Sequence, residues 1–270
     1  IDSNLPSSAS PPLAATAPPI SESVVALTLH GDLAAVELDW RAFENTADRT
    51  VFQSFDWLAK WQQHIGAPRG TIPAIVLGRD QNGGLLFILQ LAIETRGMVR
   101  RLTWLGSDLC DYNAPLLAGH FSNHMTADRF AGLWHNAVRL LRADPRFRFD
   151  LVDLQKMPEM VGAQPNPFLA IKVRANPSSA HVTTLGQNWD EFYAAKRSSA
   201  TRKKERRQLK HLAEFGEVRF VNVKDRADIA RTLDTLIGQK SHAFARMGIE
   251  DLFARPGYRA FYQDIVTGTH

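Results

Sequence analysis

Apolar positions along the chain recur first at a spacing of two, then of three and four, then of two again, and each change of period marks an element. The run VVALTLH, 24–30, reads as a short strand stopped by Gly31 and Asp32. Leu33, Val36, Trp40 and Phe43 then define one face of a helix over 33–47. In SFDWLAKWQQHIG, 54–66, Trp57, Leu58 and Trp61 form a second buried stripe, with Ser54 in the N-cap place and Gly66 as terminator. Three extended runs follow, 71–79, 84–94 and 99–106, which can form a meander. Asn82-Gly83-Gly84 predicts a tight hairpin turn between the first two, because Asn and Gly tolerate positive φ. Phe130, Leu133, Trp134, Ala137 and Leu141 place a helix over 126–141, and RFRFDLVDL, 146–154, returns as a strand.

Prolines 158, 165, 167 and 177 interrupt the pattern, so 158–180 reads as a connection. Beyond it, AHVTTL (180–185) and EVRFVNV (217–223) read as strands, and 189–195, 228–244 and 258–266 as helices. The expected class is α+β in two units, 23–157 and 181–270, the second incomplete because the chain stops in VTGTH. Residues 1–22, rich in Pro, Ser and Ala, read as a flexible leader without the basic start and apolar core of a signal peptide.

Composition narrows the function classes. No run approaches the roughly 18 to 20 apolar residues of a membrane span, so no transmembrane segment is expected. The single cysteine, Cys110, excludes an intrachain disulfide and a multi-cysteine metal site. It reads as a small buried hydrophobe in a protein of a reducing, cytoplasmic compartment. The nine histidines form no H-E-x-x-H motif, and no metal is expected.

Charge is local. Residues 201–210 hold six Lys or Arg and one Glu, a charge of +5, while the whole chain carries +4. On a helical wheel Arg202, Lys203, Arg206, Arg207 and Lys210 share one arc. Leu209, Leu212 and Phe215 fall on the other side, which predicts a packed face and a wet face ended by Gly216. Two readings stay open: a solvated helix, or one facing an anion at a cleft, since crowded cations repel unless compensated. Specific nucleic-acid binding is not expected, because one segment carries the excess and no finger, RRM or homeodomain signature accompanies it.

Four segments together, FQSFDWLAKWQQHIG, LTWLGSDLCDYNAPLL, the basic helix through EFGEVRF, and LIGQKSHAFARMGIEDLFARPGYRAFY, resemble the GNAT-like acyltransferases labelled CelD or BioF2-like, relatives of the FemAB double-GNAT proteins. The resemblance implies tandem GNAT-like units. It also implies acetyl-CoA or a longer acyl-CoA as cosubstrate and an amine-bearing small molecule, sugar or peptide as acceptor, in bacterial polysaccharide or envelope metabolism. The pyrophosphate loop of such folds, Q/R-x-x-G-x-G/A, is matched only in its opening by Gln81 to Leu86, which reads as a turn. The donor loop is therefore expected beyond His270.

Candidate chemistry centres on GSDLCDYNAP. Asp and Asn in such a loop can cap it internally. The match at DYNAP raises the alternative that Asp111, Tyr112 and Asn113 line the acceptor cleft, with Asp111 orienting or deprotonating an ammonium and Tyr112 donating a hydrogen bond. Arg202, Arg206 and Lys210 are the candidate anion contacts. Lys240, in the Gln-Lys that the resemblance marks, is a further candidate for substrate or phosphate. Cys110 lacks the local His or positive setting of a nucleophile. The alternative function is a noncatalytic GNAT-like scaffold that binds an anionic carbohydrate or protein partner.

Overall fold

The computed structural model describes residues 26–174, 176 and 183–268. The expected leader and the first half of the expected 180–185 strand, 180–182, lie outside them, and 183–185 form no strand. Strands β1 (Ala26–His30), β2 (Ile72–Arg79), β3 (Leu85–Arg96) and β4 (Val99–Trp104) form an antiparallel sheet. Two short strands complete it: β5 (Leu116–Leu117) beside β3, and β6 (Leu151–Val152) parallel to β4. The 146–154 strand shrinks to β6, because Pro145–Phe147 turns as a 3-10 helix first.

Alternation explains why both faces are covered. Phe87, Leu89, Leu91 and Ile93 of β3 point to one side, against Phe130, Leu133, Ala137 and Leu141 of the helix Ala127–Ala143. Ile88 and Ala92 point to the other, against Trp40, Leu58, Trp61 and Ile65. Those residues come from α1 (Glu37–Glu44), α2 (Phe55–Trp61) and the π-helical turn Gln62–Gly66. The remaining helices are α3 (Phe121–His124), α4 (the Ala127–Ala143 helix), α5 (Trp189–Lys196), α6 (Ser199–Ala213), α7 (Arg226–Met247) and α8 (Tyr258–Thr267).

Local expectations shift in three places. Ser54 occupies the N-cap place of α2 without a side-chain bond; the Glu44 carboxylate accepts from the Phe55 N–H instead. Gly66 stays helical at φ −67°, and Gly70, at φ 73°, makes the left-handed stop that glycine allows without steric cost. The hairpin after β2 is longer than a two-residue turn: Asp80 accepts from the N–H groups of Asn82 and Gly84, and the register shifts at Gly78 and Arg79.

Two larger differences concern organisation. Residues 158–170, within the expected connection, fold onto the α4 side of the sheet. There β7 (Met160–Val161) and β8 (Gln164–Pro165) form a hairpin and Phe168 packs on Trp104, Phe130 and Trp134. Pro165 ends β8 and Pro167 opens the 3-10 turn Pro167–Ala170, so neither sits in a free linker. At the other end of the chain α8 buries Tyr258 and Phe261 in the α1–α2 layer, so the C-terminal segment contributes to the first unit's core.

Candidate functional site

The loop 107–114 is held by the side chains of Gln53, Gln90 and Lys156, which come from separate parts of the fold, and by its own Asn113. Gln53, buried, donates from Nε2 to the Tyr112 carbonyl at 2.9 Å, and Gln90 of β3 donates to the Ala114 carbonyl. Asn113 is buried and donates its backbone N–H to Lys156 O at 2.9 Å and its amide to Gln155 O at 3.1 Å. Lys156 returns the contact, its Nζ donating to the carbonyls of Ser107 (3.0 Å) and Cys110 (2.9 Å). Lys156 has φ 58°, the one non-glycine positive φ among the described residues. A strained lysine thus grips the loop with both its main chain and its side chain.

A second polar cluster ties the same loop to α8. Asp108 accepts from Trp61 Nε1 at 2.8 Å, from Arg69 Nη1 at 3.0 Å and from the Tyr258 hydroxyl. Arg69 Nη2 in turn donates to the Tyr258 oxygen at 3.0 Å. Burial, and then the bond to Asp108, raise the Tyr258 pKa, while Arg69 opposes them. Nearby, Asp264 of α8 accepts from His64 Nε2 at 2.8 Å and pairs with Lys60 at 3.0 Å; these bonds hold its carboxyl below the usual range. Arg69, Tyr258, His64 and Asp264 were not singled out from the sequence. Their partners lie 39 to 204 residues away, and the one local cue is the Pro-Gly-Tyr that opens α8.

Asp111 and Tyr112 differ from this clamped pair. Asp111 is exposed and, among the described residues, makes no hydrogen bond or ion pair; its charge acts on Cys110 and Tyr262. The Tyr112 ring is half-buried near Phe52, 6.3 Å between centroids, and its hydroxyl is likewise unbonded. Asn113 is a different case, because its amide is spent on the loop's own anchorage. Cys110 is buried, which pushes its thiol up to about 12, with Trp57 opposing; a thiolate at neutral pH is negligible.

The structure does not bring the basic helix to this loop. α6 begins at Ser198, whose hydroxyl accepts from the Thr201 N–H, and the acid in its sequence, Glu205, bonds to Tyr193 of α5. Lys203, Lys204, Arg206, Arg207 and Lys210 are exposed, whereas Arg202 is half-buried with an unpartnered Nε. The expected packed face is open: Leu209, Leu212 and Phe215 are 55%, 57% and 80% exposed. EVRFVNV forms no strand among the described residues and leaves Phe220 96% exposed, for want of a neighbour to pair with. Lys240 is exposed on α7 with no bonded partner, and His242 and Arg246 are exposed beside it.

The 81–86 turn does not form a phosphate cradle. The N–H groups of Asn82 and Gly84 go to the Asp80 carboxylate and that of Gly83 to the Asp80 carbonyl, so the three central donors of the turn are not turned to a pyrophosphate. No group of three or more His, Cys, Asp or Glu among the described residues could hold a metal ion. No helix among them is long and apolar enough to cross a membrane.

Residues 199–270 match the family model described as an acetyltransferase (GNAT) domain, so a GNAT-family domain is present over α6, α7 and α8. No curated protein and no solved structure matches the chain.

Proposed function

We propose that the protein is an N-acyltransferase that moves an acyl group from acyl-CoA to an amine. The observation that carries this is the GNAT match over 199–270, a segment whose last helix docks against the loop bearing Asp111 and Tyr112. In such a transfer the acceptor nitrogen loses a proton and forms the new bond to the thioester carbonyl carbon. The carbon–sulfur bond then breaks, the coenzyme leaves as a thiol, and no covalent enzyme intermediate is needed. In this reading Asp111, exposed and without a hydrogen bond or ion pair among the described residues, holds the acceptor ammonium or takes its proton, and the Tyr112 hydroxyl donates to developing negative charge.

The acyl-CoA brings the activated carbonyl, and the chain's part is to hold its phosphates. The exposed cations of α6, Arg206 and Lys210 among them, with half-buried Arg202 at their edge, suit a polyanion. Lys240 is a further phosphate or substrate contact. The resemblance to CelD and BioF2-like proteins favours tandem GNAT-like units and an acceptor from bacterial polysaccharide or envelope metabolism.

The test is coenzyme release by the full chain, with acetyl-CoA and longer acyl-CoA offered against sugar, peptide and small-molecule amines. Asp111→Asn is expected to lower turnover at least tenfold with an unchanged melting temperature; full turnover in D111N would remove Asp111 from the reaction. A second reading, a noncatalytic scaffold for an anionic carbohydrate or protein, is favoured by one observation: the basic arc and the Leu209–Leu212 stripe of α6 lie open together.

A further inference from the structure

Aromatic rings run unbroken from the loop 107–114 to α8. Tyr112 lies beside Phe52, Phe52 meets Trp57 edge to face at 5.6 Å, Trp57 meets Phe261 at 4.9 Å, and Phe261 meets Tyr262 at 5.1 Å. Phe261 is buried, and the other four rings are partly buried, Phe52, Trp57 and Tyr262 against the α1–α2 core, each keeping some exposed surface. A row of this kind usually closes over a core or a partner; here it borders a carboxylate with no bond of its own. The contrast with Asp108 is chemical. Asp108 has three donors, including a guanidinium, and Asp111, three residues on, has none among the described residues. The nearby ammonium of Lys156 is held on two backbone carbonyls of the loop and forms no ion pair with Asp111.

We infer that Asp111 and the exposed parts of the Phe52, Trp57, Tyr112 and Tyr262 rings form a binding subsite for an organic ammonium whose nitrogen carries an apolar body. The carboxylate supplies the ion pair, and the ring faces, negative at their centres, attract the cation and bury the attached carbons. An anion meets Asp111 unfavourably, and an uncharged alcohol of the same shape keeps only the apolar part. A strongly hydrated polyol amine gains least, because it has little apolar surface to lay on the rings. The inference rests on the acyl-transfer reading for its biological meaning, since it names the acceptor class, but the binding itself needs no donor.

The experiment titrates the full chain with 2-phenylethylammonium, 2-phenylethanol and 3-phenylpropanoate, followed by tryptophan fluorescence and by chemical-shift changes at 107–114 and 258–262. The ammonium is expected to bind at least tenfold tighter than the alcohol, with shifts confined to those segments. Asp111→Asn should abolish that preference and Trp57→Leu should weaken the ammonium several-fold. The wild-type shift map decides the matter if W57L fails to fold. Equal affinity for ammonium and alcohol, shifts elsewhere on the surface, or an unchanged preference in D111N would each overturn the subsite. Tight ammonium binding without turnover from any acyl-CoA would leave the subsite standing and remove the transfer reading. Amine turnover with ammonium affinity intact in D111N would do the reverse.

Discussion

The sheet region and the stretch from α5 to the start of α7 both carry apolar faces in their sequence pattern and end in opposite states. In the first, both faces of β2 and β3 are covered, and well over a dozen large side chains are almost wholly buried. In the second, α5 and α6 bury no residue completely, and α7 buries only Ile237. Then α8 returns to the core with Tyr258 and Phe261. Each such side chain stabilises by about 1.5–3 kcal/mol when fully buried, so the short α8 holds the C-terminal segment while the longer α6 contributes little. Amphipathic pattern alone does not bury a helix; a facing surface does.

The sharpest break in that contrast is Gly257, where the chain enters α8. It has φ 84°, and a Cβ there would stand 1.9 Å from the His64 carbonyl oxygen. Gly257→Ala is therefore expected to cost roughly 3 kcal/mol or more, combining left-handed strain with a backbone clash. Urea unfolding with tryptophan fluorescence measures it. Gly70→Ala, also at positive φ but with nothing within 4 Å, should cost only about 1 kcal/mol.

Tyr258→Phe comes next. It keeps the ring and removes a hydroxyl shared between Asp108 and Arg69, for an expected loss of about 1–2 kcal/mol. The wild type should also lose stability in alkali. The folded-state pKa of Tyr258 lies above its ordinary value of 10, so its contribution is complete below pH 10 and fades as pH rises through the folded value. Y258F should flatten that alkaline limb, and melting curves from pH 8 to 11 will show whether it does.

Asp264 gives a smaller effect of opposite sign. Its pKa is lowered from 3.8 by His64 and Lys60, so its stabilisation is present above pH 3.8 and is lost as pH falls through the depressed value. Asp264→Asn should lower the melting temperature at pH 6 by a few degrees, about 0.5–1 kcal/mol for a part-exposed pair, and converge on wild type as pH falls through the depressed folded value. A constant difference across that range would assign the effect to packing.

The smallest stability change belongs to the exposed helix. Arg206, Arg207 and Lys210 to Gln together should alter stability by less than about 0.5 kcal/mol and leave the helical circular dichroism intact. Acyl-CoA affinity measured by calorimetry should fall, with the larger loss at low salt. Unchanged affinity would take α6 out of the donor site.

The candidate residues came from two kinds of signal. Asp111 and Tyr112 were singled out by the resemblance at DYNAP, and both side chains make no hydrogen bond among the described residues. Asn113 carried the same signal and serves as an anchor, since its partners at 155 and 156 are invisible in its neighbourhood. Arg69 and Tyr258 gave little signal: each looks ordinary until Asp108 lies between them.

The sequence by itself determined the strands β2 and β3, the span and buried face of α4, and the existence of α6 as a charged helix. These follow from side-chain periods of two and of three to four and from caps within a few residues, all of which act locally. Only the tertiary structure decided that residues 158–170 join the core and that Leu209 and Leu212 stay in water. It also decided that 217–223 finds no strand among the described residues and that α8 closes the α1–α2 layer. Each of those outcomes depends on whether a complementary surface arrives from tens to two hundred residues away, and a local pattern records the demand for such a surface without recording its supply.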